Sequence, residues 1–388
     1  MVALPSPVRV LSPPGAPPHW DGPRTEVDRL EWREGDPGDP AVLLADFLAA
    51  HGLAGAPSAQ GGDTAVSLLL GAVGCARVGG LPTGRATPVP AVPELAAVAQ
   101  RLGREPTPPA VPAGPVGPWT ASWSDAEHAA AVEHVRAAIG RGDVYQANVV
   151  GHRSAPHRSS PAALAAAVAR LPGAVYGGVL TGDGWAVGCA SPEQLVRVVG
   201  DRVTTVPVKG TLPVAPGSDA LLRASAKDRA EHVMIVDLER NDLARVAVTG
   251  SVEVEQLYAL TDWAGLWQAG STVAARLRPG TGTLDVLRAL LPGGSVTGAP
   301  KHAACRLLAD LEPVGRGPSM GALGLLWPGG LDLGLTIRTV AVDDERVHLW
   351  AGGGITWSSD PAAEVAEAHA KAAPVQAALG SPPRPAVG

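Results

Sequence analysis

An α/β architecture of the α+β type, carrying large antiparallel sheets, is what this 388-residue sequence predicts. Three observations lead there. Strand-like segments follow one another directly at 174–180, 185–189, 194–199 and 202–208, and again at 321–327, 331–342 and 346–351; uninterrupted strands pair as antiparallel neighbours rather than as βαβ units. Hydrophobic residues make up 46% of the chain, enough to bury a sizeable interior. The length exceeds the usual single core, which calls for two domains or one large, elaborated domain.

Residues 1–118 carry a weak signal. The stretch 39–51 is expected to be a helix, with Ala41, Leu43, Leu44, Phe47 and Leu48 at mixed three and four spacing. The apolar run 65–78 is compatible with buried strands, and 93–102 reads as a further helix with Pro93 in its first turn. Residues 106–118 form a proline-rich linker too poor in side chains to build a core. The chain therefore divides into an N-terminal region, 1–118, and a second, orderly part, 119–388.

That second part opens with a helix at 124–141, capped by Ser124 and ending near Gly142. A strand at 143–150, a helix at 160–171 and the first block of strands follow. A long helix spans 218–243 and places Glu231, Ile235, Leu238 and Asp242 on one face. Strands are expected at 246–257 and 271–277, a helix at 283–291, and a turn at 292–301 that opens a helix lasting to 311. After the second block of strands come a loop at 352–354 and a last helix at 360–379.

The formal net charge of −6 gives no electrostatic reason to expect nucleic acid or an anionic membrane as partner. No segment approaches ~18 uninterrupted apolar residues, and residues 1–18 lack a basic region followed by an apolar run. A soluble, cytoplasmic protein is the expectation. Cys75, Cys189 and Cys305 are widely spaced in apolar surroundings and read as reduced core thiols, with no zinc or disulfide pattern.

The chain has only four lysines, so each can be weighed singly. Lys209 lies between a strand and the Gly210-Thr211 turn, a suitable place for a nucleophile. Its amine must lose its proton by burial or with help from a base; taken alone, such a lysine is ordinarily a solvated surface group. Glu193 becomes its candidate base if the two intervening strands form a hairpin. Glu364, Glu367 and Lys371 are spaced to project from one helix face among alanines. With Glu231 on the earlier helix, these carboxylates suit Mg²⁺, which takes one or two protein carboxylates plus waters and an anionic substrate group. The turn at 293–298, ending in Thr297 and Gly298 at a helix start, favours an anion. Gly353 and Gly354 let backbone amides approach a ligand, and Arg338 is a possible carboxylate clamp. Together these groups predict a small, multiply anionic substrate.

Ser191-Pro192-Glu193, Pro207-Val208-Lys209-Gly210-Thr211, the run 227–238, Arg240-Asn241-Asp242-Leu243, the turn 292–301, Ile337-Arg338-Thr339 and Gly352-Gly353-Gly354-Ile355 occur in one order. That order resembles the chorismate-utilising enzymes, a family that includes anthranilate, isochorismate, salicylate and aminodeoxychorismate synthases. The resemblance covers about 124–375. It implies a sandwich of large antiparallel sheets with outer helices, the catalytic part at 119–388, and an N-terminal region shorter than usual. It implies chorismate as substrate, Mg²⁺ bound by Glu231 and Glu367 with Glu364 in support, and a glutamine amidotransferase subunit as the source of ammonia.

Within that family the lysine at 209 is similar to that of aminodeoxychorismate synthase component I, whereas the anthranilate and isochorismate branches place a small residue there. By this likeness Glu193 activates Lys209, Thr211 contacts the substrate, and Thr297, Gly298, Arg338, Gly353, Gly354 and Lys371 hold its carboxylates. The product is 4-amino-4-deoxychorismate, which leads to 4-aminobenzoate and folate. Anthranilate-type or isochorismate-type chemistry, or chorismate binding without catalysis, are the alternatives. Two positions depart from the family pattern. Gln268 stands where relatives carry a histidine thought to assist the leaving hydroxyl; an amide donates a hydrogen bond but transfers no proton at neutral pH. Ser319 stands at a position that is usually aromatic.

Overall fold

The computed structural model describes residues 24–55, 63–102, 113–263 and 266–380. Among them, every pairing between strands is antiparallel. The larger sheet runs Arg24–Trp32, Leu95–Leu102, Thr64–Leu70, Ala322–Trp327, Gly330–Leu335, Gln194–Val199, Arg202–Val206, Leu266–Arg276 and Val208–Pro213, with Glu253–Trp263 also paired to Leu266–Arg276. The smaller runs Gly298–Ala299, Gln146–Pro156, Arg346–Ile355, Thr339–Val342, Trp185–Ser191 and Tyr176–Gly182, with Thr120–Ala121 on Gln146–Pro156.

The two sheets share one apolar interior. A single cluster takes Leu68, Val98, Leu195 and Leu333 from the larger sheet and Val150, Trp185, Val187 and Trp350 from the smaller. On its other face the smaller sheet is covered by helices. Leu164 and Val168 of Pro161–Ala169, and Ala372 and Val375 of Pro361–Ala378, pack on Val340, Val347 and Leu349. Val132 and Val135 of Asp125–Arg141 and Leu308 of Lys301–Leu311 pack on Ala147, Val149 and Ile355. The predicted α+β sandwich is therefore present. Local chemistry sets the helix ends: Ser124 and Glu127 form a reciprocal capping box, Gly142 closes the same helix at φ +83°, and Asp360 accepts from Ala363 N at 2.9 Å.

Several expected elements resolve differently. Where a helix is expected at 93–102 there is the strand Leu95–Leu102: alanines at 96, 97 and 99 suit either state, and pairing on both sides with Arg24–Trp32 and Thr64–Leu70 decides it. The run 65–78 divides into the strand Thr64–Leu70 and the helix Ala72–Gly79. The long helix breaks where Ser225 is extended, giving Ser218–Ala224 and Ala226–Ala244. The expected strand 331–342 is two strands in two sheets, Gly330–Leu335 and Thr339–Val342, so the chain crosses the sandwich at 336–338. Gly352 to Gly354 are not a loop; they continue Arg346–Ile355, opposite Val150, Val149 and Asn148. Of the proline-rich linker only 113–118 falls within the described residues.

Three strands from residues 24–102 form one end of the larger sheet, joined to the rest through Thr64–Leu70 against Ala322–Trp327. Cys75 and Cys189 are buried, Cys305 is half-buried, and all three are free thiols. No helix among the described residues is long and apolar enough to cross a membrane.

Candidate active site

Gln194–Val199 and Arg202–Val206 form an antiparallel hairpin with Gln194 opposite Val206. This brings Ser191-Pro192-Glu193 beside the segment that leads into Lys209. Val208 N donates to Glu193 Oε1 at 3.4 Å, and Glu193 also bonds to the side chain of Ser295. The register against Leu266–Arg276 slips between Lys209 and Thr211, where Gly210 has φ +70°. Such a bulge re-aims a side chain. Lys209 Nζ donates to Ser295 O at 3.3 Å, so one short turn, Gly294–Thr297, meets both the amine and the carboxyl.

Burial lowers the pKa of Lys209, and the charge of Lys371 lowers it further, against the opposing pull of Glu193, Glu231 and Glu367. Burial raises the pKa of Glu193, with Lys209 opposing. The two shifts bring amine and carboxyl towards one another in acidity, which makes proton exchange between them less uphill.

The last helix faces the strand Arg346–Ile355. A Cβ added to Gly353 would lie 3.0 Å from Glu364 Oε2, 3.7 Å from Glu367 Oε1 and 3.8 Å from Lys371 Nζ. A Cβ on Gly354 would run into the Gln146 amide and lie 3.6 Å from Lys209 Nζ. The two glycines thus join the acidic helix to the amine, and only their lack of a side chain leaves that space open. Lys371 Nζ pairs with Glu367 Oε1 at 2.7 Å and donates to Gly352 O at 3.0 Å.

Glu364 is buried while Glu367 is exposed. Glu231, from Ala226–Ala244, contributes to the field at Lys209. Among the described residues no three acidic, histidine or cysteine side chains stand close enough to hold a metal ion by themselves. The donor chemistry still fits Mg²⁺, which needs only one or two protein carboxylates when a substrate anion and waters complete its shell.

Thr297 is buried, with Oγ1 donating to Gly293 O at 2.8 Å, and Gly298, at φ +143°, pairs with Ala147. Arg338 sits at the crossing between the sheets at φ +50°. A positive φ is uncommon for a side chain of that size, and such strain collects at functional positions. Burial lowers the pKa of its guanidinium. Gln268 is buried and lies opposite Thr211 on the ladder. Ser319 is fully buried and turns inward, its Oγ donating to Thr336 O at 3.3 Å.

Sequence reasoning missed Gln146 and the backbone of Ser295. Gln146 is fully buried, and among the described residues neither its Nε2 nor its Oε1 has a hydrogen-bond partner. Gln146 opens the strand Gln146–Pro156, whose mixed polar and apolar residues gave no signal that its amide is buried without a partner. A second neighbour is His232, whose Nε2 is 2.6 Å from Ser271 Oγ and whose pKa burial pushes down to about 4, leaving a neutral ring near Lys209.

Residues 82–377 match the family described as chorismate binding enzyme. The chain is 41% identical over 257 residues to anthranilate synthase component 1 of Streptomyces coelicolor, covering 64% of this chain and 50% of that one. It is 38% identical over 260 residues to aminodeoxychorismate synthase component 1 of Klebsiella aerogenes, covering 65% of this chain and 58% of that one. The chain thus spans about half the length of the curated relatives it matches. In fold it is similar to the crystal structure of anthranilate synthase component I from Streptococcus pneumoniae, with a TM-score of 0.77 at 22% identity over 97% of this chain and 93% of that one.

Proposed function

The chain belongs to the family of chorismate binding enzymes, and on that premise we propose that it aminates chorismate in the manner of aminodeoxychorismate synthase component 1. Ammonia comes from a separate glutamine amidotransferase subunit, or from free ammonium in its absence. The observation that supports this reading over its siblings is Lys209, an amine held beside Glu193 with its pKa lowered by burial. By the family resemblance the other branches have no amine at this place.

Glu193 takes the proton of the Lys209 ammonium. The neutral amine attacks C2 of chorismate, the ring double bonds shift, and the C4–O bond breaks; the departing hydroxide takes up a proton and leaves as water. Ammonia then adds at C4, the double bonds shift back, the C2–N bond breaks, and Lys209 is released. Chorismate and ammonia become 4-amino-4-deoxychorismate and water, with no change of oxidation state. Gln268 can orient the leaving hydroxyl by hydrogen bonding but cannot supply its proton at neutral pH.

Glu231 and Glu367, with Glu364 in support, would hold Mg²⁺, which would neutralise a substrate carboxylate. Arg338 and Lys371, with Thr211, Thr297, Gly298 and the amides of Gly353 and Gly354, would bind and orient the anionic groups. The vacant hydrogen-bonding capacity of Gln146 lies beside Gly354 and is best used by the bound substrate.

The likeness to the Streptomyces enzyme favours anthranilate as the alternative product. Mass spectrometry decides between them. Purified protein with chorismate, Mg²⁺ and ammonium is expected to give 4-amino-4-deoxychorismate, converted to 4-aminobenzoate when a suitable lyase is added; anthranilate alone would reject the proposal.

A further inference from the structure

Directly behind the short turn that meets Lys209 lies a buried guanidinium. Arg316 Nη1 donates to Val296 O at 2.7 Å and Nη2 to Asn148 O at 2.5 Å. Its other edge grips Glu312, through Nε to Oε2 at 2.8 Å and Nη2 to Oε1 at 2.6 Å. Glu312 Oε1 also accepts from Val150 N at 3.0 Å. Both side chains are at least nine-tenths buried.

The two carbonyls are placed meaningfully. Val296 lies between Ser295, whose carbonyl accepts from Lys209, and Thr297. Asn148 is two residues along its strand from Gln146, so both share one face of the smaller sheet. One planar fork therefore ties the segment that bonds the amine to the strand that carries Gln146, whose amide stands with Lys209 around Gly354.

Stability alone is a weak reason for this arrangement. A buried ion pair can often be replaced by apolar side chains at no cost. What the guanidinium offers is direction, because its donors are fixed in one plane and cannot swivel independently. An ammonium in its place would satisfy one or two of these acceptors and fix neither backbone.

We propose that Arg316 is a positioning residue for the site: anchored by Glu312, it holds the Val296 and Asn148 carbonyls and thereby fixes Ser295 against Lys209 and Gln146 beside Gly354. The proposal rests on the reading of Lys209 as the reacting amine. Arg316 acts through those two segments and makes no contact with substrate.

Steady-state kinetics on the full chain, with chorismate, Mg²⁺ and ammonium, provide the first test. Arg316→Lys keeps the charge and loses the fork; kcat falls by about 100-fold, the order expected when a reacting group is displaced by ~1 Å, while KM for chorismate stays within about threefold. Glu312→Gln retains both carbonyl bonds but loses the anchoring charge, and its smaller loss, about tenfold in kcat, covers a failure of Arg316→Lys to fold. The second test needs no turnover: the rate at which Lys209 is modified by an amine-reactive reagent at fixed pH, read by peptide mass spectrometry. With Ser295 O released from its fixed position, labelling is severalfold faster in Arg316→Lys; in Glu312→Gln, where the fork keeps both carbonyls but is less firmly anchored, it rises by a smaller factor. A rise in KM with kcat intact, or Lys209 labelling at the wild-type rate in a folded variant, overturns the proposal. If wild-type protein forms no aminated product, the functional reading fails, and the labelling rates still decide the clamp.

Discussion

Lys209 differs from a surface lysine in the direction of its proton equilibrium. Burial lowers its pKa while Glu193 raises it, so removing the carboxylate has a definite sign. In Glu193→Gln the amine should titrate at lower pH than in the wild type, measured by pH-dependent labelling of Lys209, even though turnover falls because the base is gone. An unchanged or higher midpoint would mean the two groups do not sense one another. Gln146 offers a complementary case. Its two unpaired polar atoms are a burden to the ligand-free protein, so Gln146→Leu should melt at the same temperature or higher while its chorismate KM rises about tenfold, the loss of one good hydrogen bond. The motif order made Lys209, Glu193 and Arg338 legible in sequence. Gln146 was not, because an unpaired amide is visible only once its surroundings are known.

At the level of elements, the strand Arg346–Ile355 joins the two halves of the site. Its glycines looked like a loop because three in succession discourage a strand; pairing with Gln146–Pro156 across the whole length overrides that preference. Gly354→Ala would push a methyl group into the Gln146 amide and towards Lys209. The expected result is a loss of at least about tenfold in kcat/KM together with a lower melting temperature, as overpacking costs about 1–3 kcal/mol. Full activity would show that this strand can move away from the amine. The crossing at Arg338 was hidden for a different reason. Residues 331–342 keep strand-like composition on both sides, and nothing in local periodicity announces that Gly330–Leu335 pairs with Gln194–Val199 while Thr339–Val342 pairs with Trp185–Ser191.

For the whole molecule, successive strands announced antiparallel sheets, but the partners that close each sheet lie far away in sequence. Thr64–Leu70 meets Ala322–Trp327, a pairing that only tertiary packing selects. The same packing buries titratable groups of opposing sign. Burial pushes His128 and His348 down to about 4 and His152 to about 3; the unfolded chain takes up their protons near 6.5, so this stability is present above that pH and declines below it. Burial raises Glu94 and Asp332 to about 7 and Glu239 to about 8; their contribution is full below the unfolded carboxyl range and is lost as pH rises towards 7–8. The two sets oppose each other between about pH 4.5 and 6.5, so denaturant midpoints should be level there and fall on either side. A steady rise through pH 8 would contradict that balance. The covalent step is tested most directly by mixing the protein with chorismate and Mg²⁺ without ammonium, quenching, and weighing the peptides. A peptide containing Lys209 that carries the mass of chorismate less one water is the predicted result; turnover to 4-amino-4-deoxychorismate in a Lys209→Ala protein at the wild-type rate would contradict it.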